Sequence, residues 1–113
     1  MQVRFESRTP EAAQMRELSI DRLQYSMRRL TWLVPRARVL LSDVNGPRGG
    51  VDKRCQLEFR TATAGTLVVT SVARDWRSAL DNSLARASQA LIRSWRRSQQ
   101  RERPRQRQMH PGN

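Results

Sequence analysis

Arg86, Arg93 and Arg97 stand at i, i+7 and i+11 of one stretch, a spacing that stacks three guanidinium groups along one flank of an α-helix. A guanidinium is a planar fork that grips phosphate through two parallel hydrogen bonds, so a row of them suits a polyanion. Arg22 and Arg29 form a second row with Tyr25 between them, and a tyrosine beside cations offers a face on which a base stacks. Trp95, at the edge of the apolar seam among arginines, is a further candidate for stacking a base, with Arg96 next to it in sequence, while Arg48 and Lys53 add cations at and beyond a glycine-rich loop. Phosphate binding is the chemistry on offer. Its candidates are Arg22, Tyr25, Arg29, Arg48, Lys53, Arg86, Arg93, Trp95, Arg96 and Arg97.

Catalysis needs convergent groups, and few are present. Cys55 is the single cysteine, which excludes an internal disulfide, a CxxC redox pair and a cysteine zinc site. The lone histidine, His110, lies in a polar C-terminal run, and neither GxSxG nor HExxH occurs. The run from Asn45 to Gly50 is glycine-rich, but no Gly-Lys-Ser/Thr triplet follows it, so it reads as a connection and not a nucleotide loop. Asp43 and Asp52 flank that run without an accompanying nucleophile. Asp81, four residues after Arg77, reads as an intrahelical ion-pair partner. The expectation is a protein that is not an enzyme and has no cofactor, metal or small-molecule substrate.

The net charge of +12 comes from 21 arginines and one lysine against ten acids. A folded domain so charged repels itself, and the excess points to a polyanionic partner. No apolar run approaches the ~20 residues that span a bilayer, and the N-terminus lacks signal-peptide order. The expected location is the cytoplasm, with no membrane partner.

Stepping along the chain shows what must position these residues. Gln2 to Ser7 alternates Val3 and Phe5 against polar residues, the period of a half-buried strand. Thr9-Pro10-Glu11 opens a helix, with a capping hydroxyl, a proline at the first position and an acid at the positive end of the dipole. The spacing carries that helix to about Leu30, with Arg16 falling near its buried face. Residues 37–44 and 53–61 read as strands, the latter placing Cys55, Leu57 and Phe59 in the core. A fourth strand spans 66–73, and a second helix capped by Asp75 runs to Arg97. Trp32 and Trp76 read as core or seam residues, and the open face of the sheet, with Arg54, Gln56 and Arg60, is expected to contribute little to binding.

The order is β-α-β-β-β-α, an α+β two-layer sandwich in which a four-stranded sheet carries two helices on one face. Its first crossover makes strands one and two parallel, and the rest form an antiparallel meander. Residues 1–97 are the expected domain. Residues 98–113, rich in arginine and glutamine with almost nothing apolar, are expected to be a disordered basic tail. Side by side on the sheet, the two helices would merge their arginine rows into one basic surface.

That order, with Met15-Arg16-Glu17-Leu18 in the first helix and Asp75-Trp76-Arg77-Ser78-Ala79-Leu80-Asp81 opening the second, resembles the hibernation promoting factor and ribosome-associated inhibitor A family over residues 1–97. The resemblance implies a short-form protein, monomeric off the ribosome, that binds ribosomal RNA in the decoding region of the small subunit and inhibits translation under stress. By position it implies RNA contacts at Arg22, Arg86, Arg93 and Arg97. Arg77 stands where the family usually has tyrosine, Tyr25 and Trp95 where it often has lysine, and Gln89 where it has another cation. A general RNA-binding module without ribosome preference is the alternative.

Overall fold

Alternation and caps build the elements expected of them. A computed structural model describes residues 1–44 and 51–109, with side chains through residue 100. The strands are β1 (Gln2–Ser7), β2 (Arg36–Asp43), β3 (Lys53–Arg60) and β4 (Thr66–Ala73), and the helices are α1 (Pro10–Ala13), α2 (Arg16–Ser26) and α3 (Trp76–Met109). They form a single four-stranded sheet in the order β1-β2-β3-β4. β1 and β2 are parallel, with Phe5 opposite Val39, and the other two pairings are antiparallel, with Leu41 opposite Cys55 and Leu57 opposite Val69. The helices pack on one face. The expected α+β sandwich is the fold observed.

That register stacks Ala37, Val39, Leu41, Cys55, Leu57 and Phe59 on the helix side, all buried against Leu23 and Met27 of the α2 region and Leu80, Leu84, Ala87 and Leu91 of α3. Cys55 is fully buried, as its strand phase predicts. Its Sγ lies 3.1 Å from the Ser83 Oγ, and burial pushes the thiol up to about 11. Between β3 and β4, Gly65 adopts φ +74°, a left-handed geometry open to a residue without Cβ. The Thr61 hydroxyl closes this turn, donating to the Gly65 carbonyl at 2.6 Å and accepting from the Ala64 N–H at 2.8 Å.

The first helix departs from expectation. It is capped by Thr9, whose hydroxyl accepts from the Ala12 N–H at 3.1 Å, but it breaks at Gln14 and Met15. There the N–H groups turn to carbonyls three residues back, tightening the backbone before α2 begins. The break rotates Arg16 outward, so it is exposed and not near the buried face. After Ser26 the chain descends through further tight turns to Leu33 and Val34, which are almost completely buried although they belong to no helix or strand. β2 starts one residue earlier than expected.

At the start of α3 the Asp75 carboxylate accepts from the Ser78 N–H at 2.7 Å and the Ser78 hydroxyl at 3.0 Å. Those bonds hold its pKa below the ordinary carboxylate value. The helix then passes Arg97 and continues to Met109, across much of the segment for which disorder is expected. Arginine, glutamine and glutamate lose little rotamer freedom in a helix, so a polar run can extend one already nucleated by packing, against the cost of Pro104, which lacks the N–H a helix interior uses. Leu91 and Trp95 are the last described α3 residues packed on the core. Among the described residues, no helix is long and apolar enough to cross a membrane.

Candidate nucleic-acid interface

The α3 row is presented as its spacing requires. Arg86, Arg93 and Arg97 are all exposed, and Arg86 fixes which way the row faces, because its Nη1 donates to the Thr70 carbonyl of β4 at 3.1 Å. The row therefore overlooks the β4 edge of the sheet. Arg96, also exposed, lies round the helix from it.

Arg22 is elsewhere and otherwise engaged. Its Nε and Nη2 donate to the two Asp81 carboxylate oxygens at 2.7 and 3.0 Å, a bidentate bond joining α2 to α3. Asp81 thus pairs across the helices and not with Arg77, and the bond raises the Arg22 pKa further. Asp81 and Arg86 are five residues apart, about 140° round the helix, so the two arginine rows lie on opposite flanks of α3. The expected merger into one basic surface does not occur. Between α2 and α3 runs instead a groove of about 640 Å³ with both signs of charge, lined by Leu18, Asp21, Arg22, Tyr25, Asp81 and Leu84 among others.

At the far end of α2 the aromatic residues are rearranged relative to expectation. Tyr25 is 68% exposed, and the Arg28 guanidinium lies over its ring at 4.1 Å while donating to the Tyr25 carbonyl at 2.8 Å. One face of the ring is thereby taken by a cation. Trp95 is half-buried and packs against the core, meeting Trp32 edge-to-face at 5.7 Å. Trp32 is the exposed partner at 60%, its Nε1–H donating to the Arg29 carbonyl at 3.0 Å. A base-stacking role fits Trp32 better than Trp95. Nothing in the local pattern marks this, because Trp32 sits in an irregular connection between residues that are buried and residues that are not. Arg29 is exposed beside it.

Lys53 is committed inside the protein. Its Nζ donates to Asp43 Oδ2 at 2.9 Å and forms an ion pair with Asp52 Oδ1 at 3.2 Å, with the ammonium 5.5 Å from the centre of the Trp76 ring. The Asp43 bond leads in holding the Lys53 pKa above its ordinary value, and the ammonium serves as counter-ion to the fully buried Asp52. The two aspartates flanking the glycine run are therefore drawn together by one lysine. Arg48 and the rest of that run, and His110, lie outside the described residues. Among the described residues, no group of three or more His, Cys, Asp or Glu side chains is arranged to hold a metal ion.

No protein-family model matches the sequence, and no curated protein matches it. Solved structures do match the fold. A crystal structure of the Protein Y N-terminal domain from Thermus thermophilus aligns with a TM-score of 0.62 at 19% identity, over 82% of this chain and 98% of that one. A ribosomal subunit interface protein from Coxiella burnetii aligns with a TM-score of 0.65 at 12% identity, over 82% of this chain and 96% of that one. With so few identical residues, what the three chains share is the architecture, and the resemblance drawn from the sequence holds at the level of the fold.

Proposed function

We propose that this chain is a non-enzymatic ribosome-associated protein that occupies the decoding region of the small subunit, contacts ribosomal RNA there and suppresses translation by occlusion. In this reading it promotes ribosome hibernation under stress, acts in the cytoplasm and is monomeric off the ribosome. The observation that carries it is the row Arg86, Arg93 and Arg97. These are exposed guanidinium groups with no carboxylate partner among the described residues, on a fold shared with a ribosomal subunit interface protein. Arg96 adds to the cationic surface, and Arg29 with Trp32 and Tyr25 offers a separate cationic and aromatic area on the other flank of α3. Arg22 contributes by bracing α2 against α3. Residues 98–113, which carry four of the arginines, serve as an electrostatic arm that adds affinity without adding to the folded core.

Sedimentation of a lysate through a sucrose gradient tests the assignment. The protein should co-migrate with small subunits or whole ribosomes and should inhibit translation in a purified system. A position only at the top of the gradient overturns the reading. Equal affinity for unrelated structured RNA would replace it with a general RNA-binding module.

A further inference from the structure

The helices cover one face of the sheet, and the other face is also cationic. Strand alternation sends Arg4, Arg36, Arg38, Arg54 and Arg60 to that open side, against Glu6 and Glu58. The register decides which of these charges are neutralised. Arg38 takes both carboxylates, its Nε and Nη2 donating to Glu6 at 2.8 Å each and its Nη1 to Glu58 at 3.0 Å. This leaves the Arg36 and Arg60 side chains with no hydrogen bond or ion pair among the described residues, and Arg4 with only a longer-range attraction to Glu6.

Arg36 and Arg60 are directly opposite each other across the antiparallel β2–β3 pair. Like charges at such a position are destabilising. Nothing in the packing requires them, since both are exposed and any polar residue would serve. Gln2 and Thr66 complete this row on the flanking strands, and Arg4 lies one same-face step along β1. Together with Arg38 and Glu58, which are paired to each other, these side chains rim a shallow depression of about 770 Å³. Arg36 and Arg60, which have no carboxylate partner among the described residues, and Arg4, close enough to Glu6 to lower its pKa, line an open depression and form a receptor for an anion held at more than one point.

We propose that this open face is a second phosphate-binding surface, centred on Arg4, Arg36 and Arg60, that takes the backbone of a single-stranded RNA segment. The depression is open and not enclosed, which favours an extended ligand over a small one. Further along the face Arg54 lies three same-face residues from Arg60, roughly 20 Å at the strand's repeat, with Gln56, to which it donates, and the paired Glu58 between them. The open face carries no aromatic residue, because Phe5 and Phe59 point into the core. Contacts are therefore to phosphates and not to stacked bases, and binding is indifferent to sequence. The proposal stands apart from the ribosome assignment, because a free oligonucleotide tests it.

The experiment uses the full chain, a labelled 12-nucleotide oligouridylate, and backbone amide NMR. RNA should shift the amides of Arg4, Arg36, Arg60 and their strand neighbours, and an oligoadenylate of equal length should do the same. The variant Arg36→Ser/Arg60→Ser should lower the slope of log affinity against log salt by about 1.4, as two lost single-strand contacts predict. It should lose those sheet shifts while keeping the shifts along α3. Without RNA at low salt it should melt no lower than the parent protein, because a repulsive pair has been removed; a lower melting point with an unchanged slope would make the pair structural and overturn the proposal. Shifts confined to α2 and α3 would also overturn it. If millimolar inorganic phosphate reproduces the sheet shifts and the oligonucleotide binds no tighter than phosphate, the site takes a free anion and the RNA assignment fails.

Discussion

Neutralising the α3 row is the sharpest perturbation, because each residue in it is exposed and one contact can be followed. In Arg86→Ser/Arg93→Ser/Arg97→Ser, the only described protein bond lost is the 3.1 Å donation from Arg86 to the Thr70 carbonyl. Exposed substitutions of this kind usually change stability by no more than about 0.5 kcal/mol each. Binding should respond far more strongly. Each phosphate contact contributes about 0.7–0.9 to the slope of log affinity against log salt, so losing three flattens the slope by about 2–3. Raising salt fourfold, from 50 to 200 mM, weakens each contact about 2.6–3.5-fold by the same relation. Across that range the parent protein should lose about 20–40-fold more affinity than the variant. Co-sedimentation with purified small subunits at fixed magnesium and stepped salt measures this. A matched variant, Arg16→Ser/Arg74→Ser, removes exposed arginines off that flank. An unchanged slope in the triple variant refutes the helical site, and an equal loss per arginine in both variants would mean that net charge alone drives binding.

Deleting residues 98–113 should leave the melting temperature almost unchanged, since the last described core contacts of α3 are Leu91 and Trp95, and should weaken ribosome binding in the same sedimentation assay. Cys55 should resist thiol reagents in the native state at pH 8, where a pKa of about 11 leaves roughly one thiol in a thousand ionised and burial blocks access; rapid labelling would show that β3 is in the wrong phase. Asp75→Ala should lower the melting temperature at pH 7, and the effect should shrink as pH falls below the ordinary carboxylate value of 3.8. The folded pKa of Asp75 lies below its ordinary 3.8, so the cap stabilises above that value and is lost as pH falls through the folded one; an effect that does not shrink would remove the ionised cap as the cause.

Local periodicity made most of the fold legible. Alternation in Gln2–Ser7, Lys53–Arg60 and Thr66–Ala73 marks strand and inward face together, and Thr9 and Asp75 mark helix starts through side chains that satisfy orphan N–H groups. The break at Gln14 and Met15 was not legible, because a tightened turn changes hydrogen bonding without changing residue type. Leu33 and Val34 escaped for a related reason: tertiary packing buries them in a connection that has no period. The site was harder still. A helical wheel assigns a flank, but it cannot say what stands opposite that flank. Arg22 looked like a free cation until α2 was placed against Asp81, 59 residues away, and Lys53 did so until the loop ends brought Asp43 and Asp52 to it.

The distinction between paired and unpaired arginines also bears on how the protein would meet RNA under the proposed function. Arg22 and Arg38 are spent on carboxylates within the fold, one between the helices and one across the sheet. Among the unpartnered guanidinium groups are two sets on different sides of the fold, one on α3 above the β4 edge and one on the open face of the sheet around Arg36 and Arg60. A flat RNA surface can neutralise only one set at a time. An RNA-lined cleft can neutralise both, because a two-layer sandwich is thin enough to present opposite faces to opposite walls. Self-repulsion within each set falls only when an anion reaches it, so a ligand touching both faces stabilises the native state more than one touching either. Under the proposed function, lodging within a channel would be favoured over docking on an exterior surface, and occlusion of the decoding region would require that mode of binding.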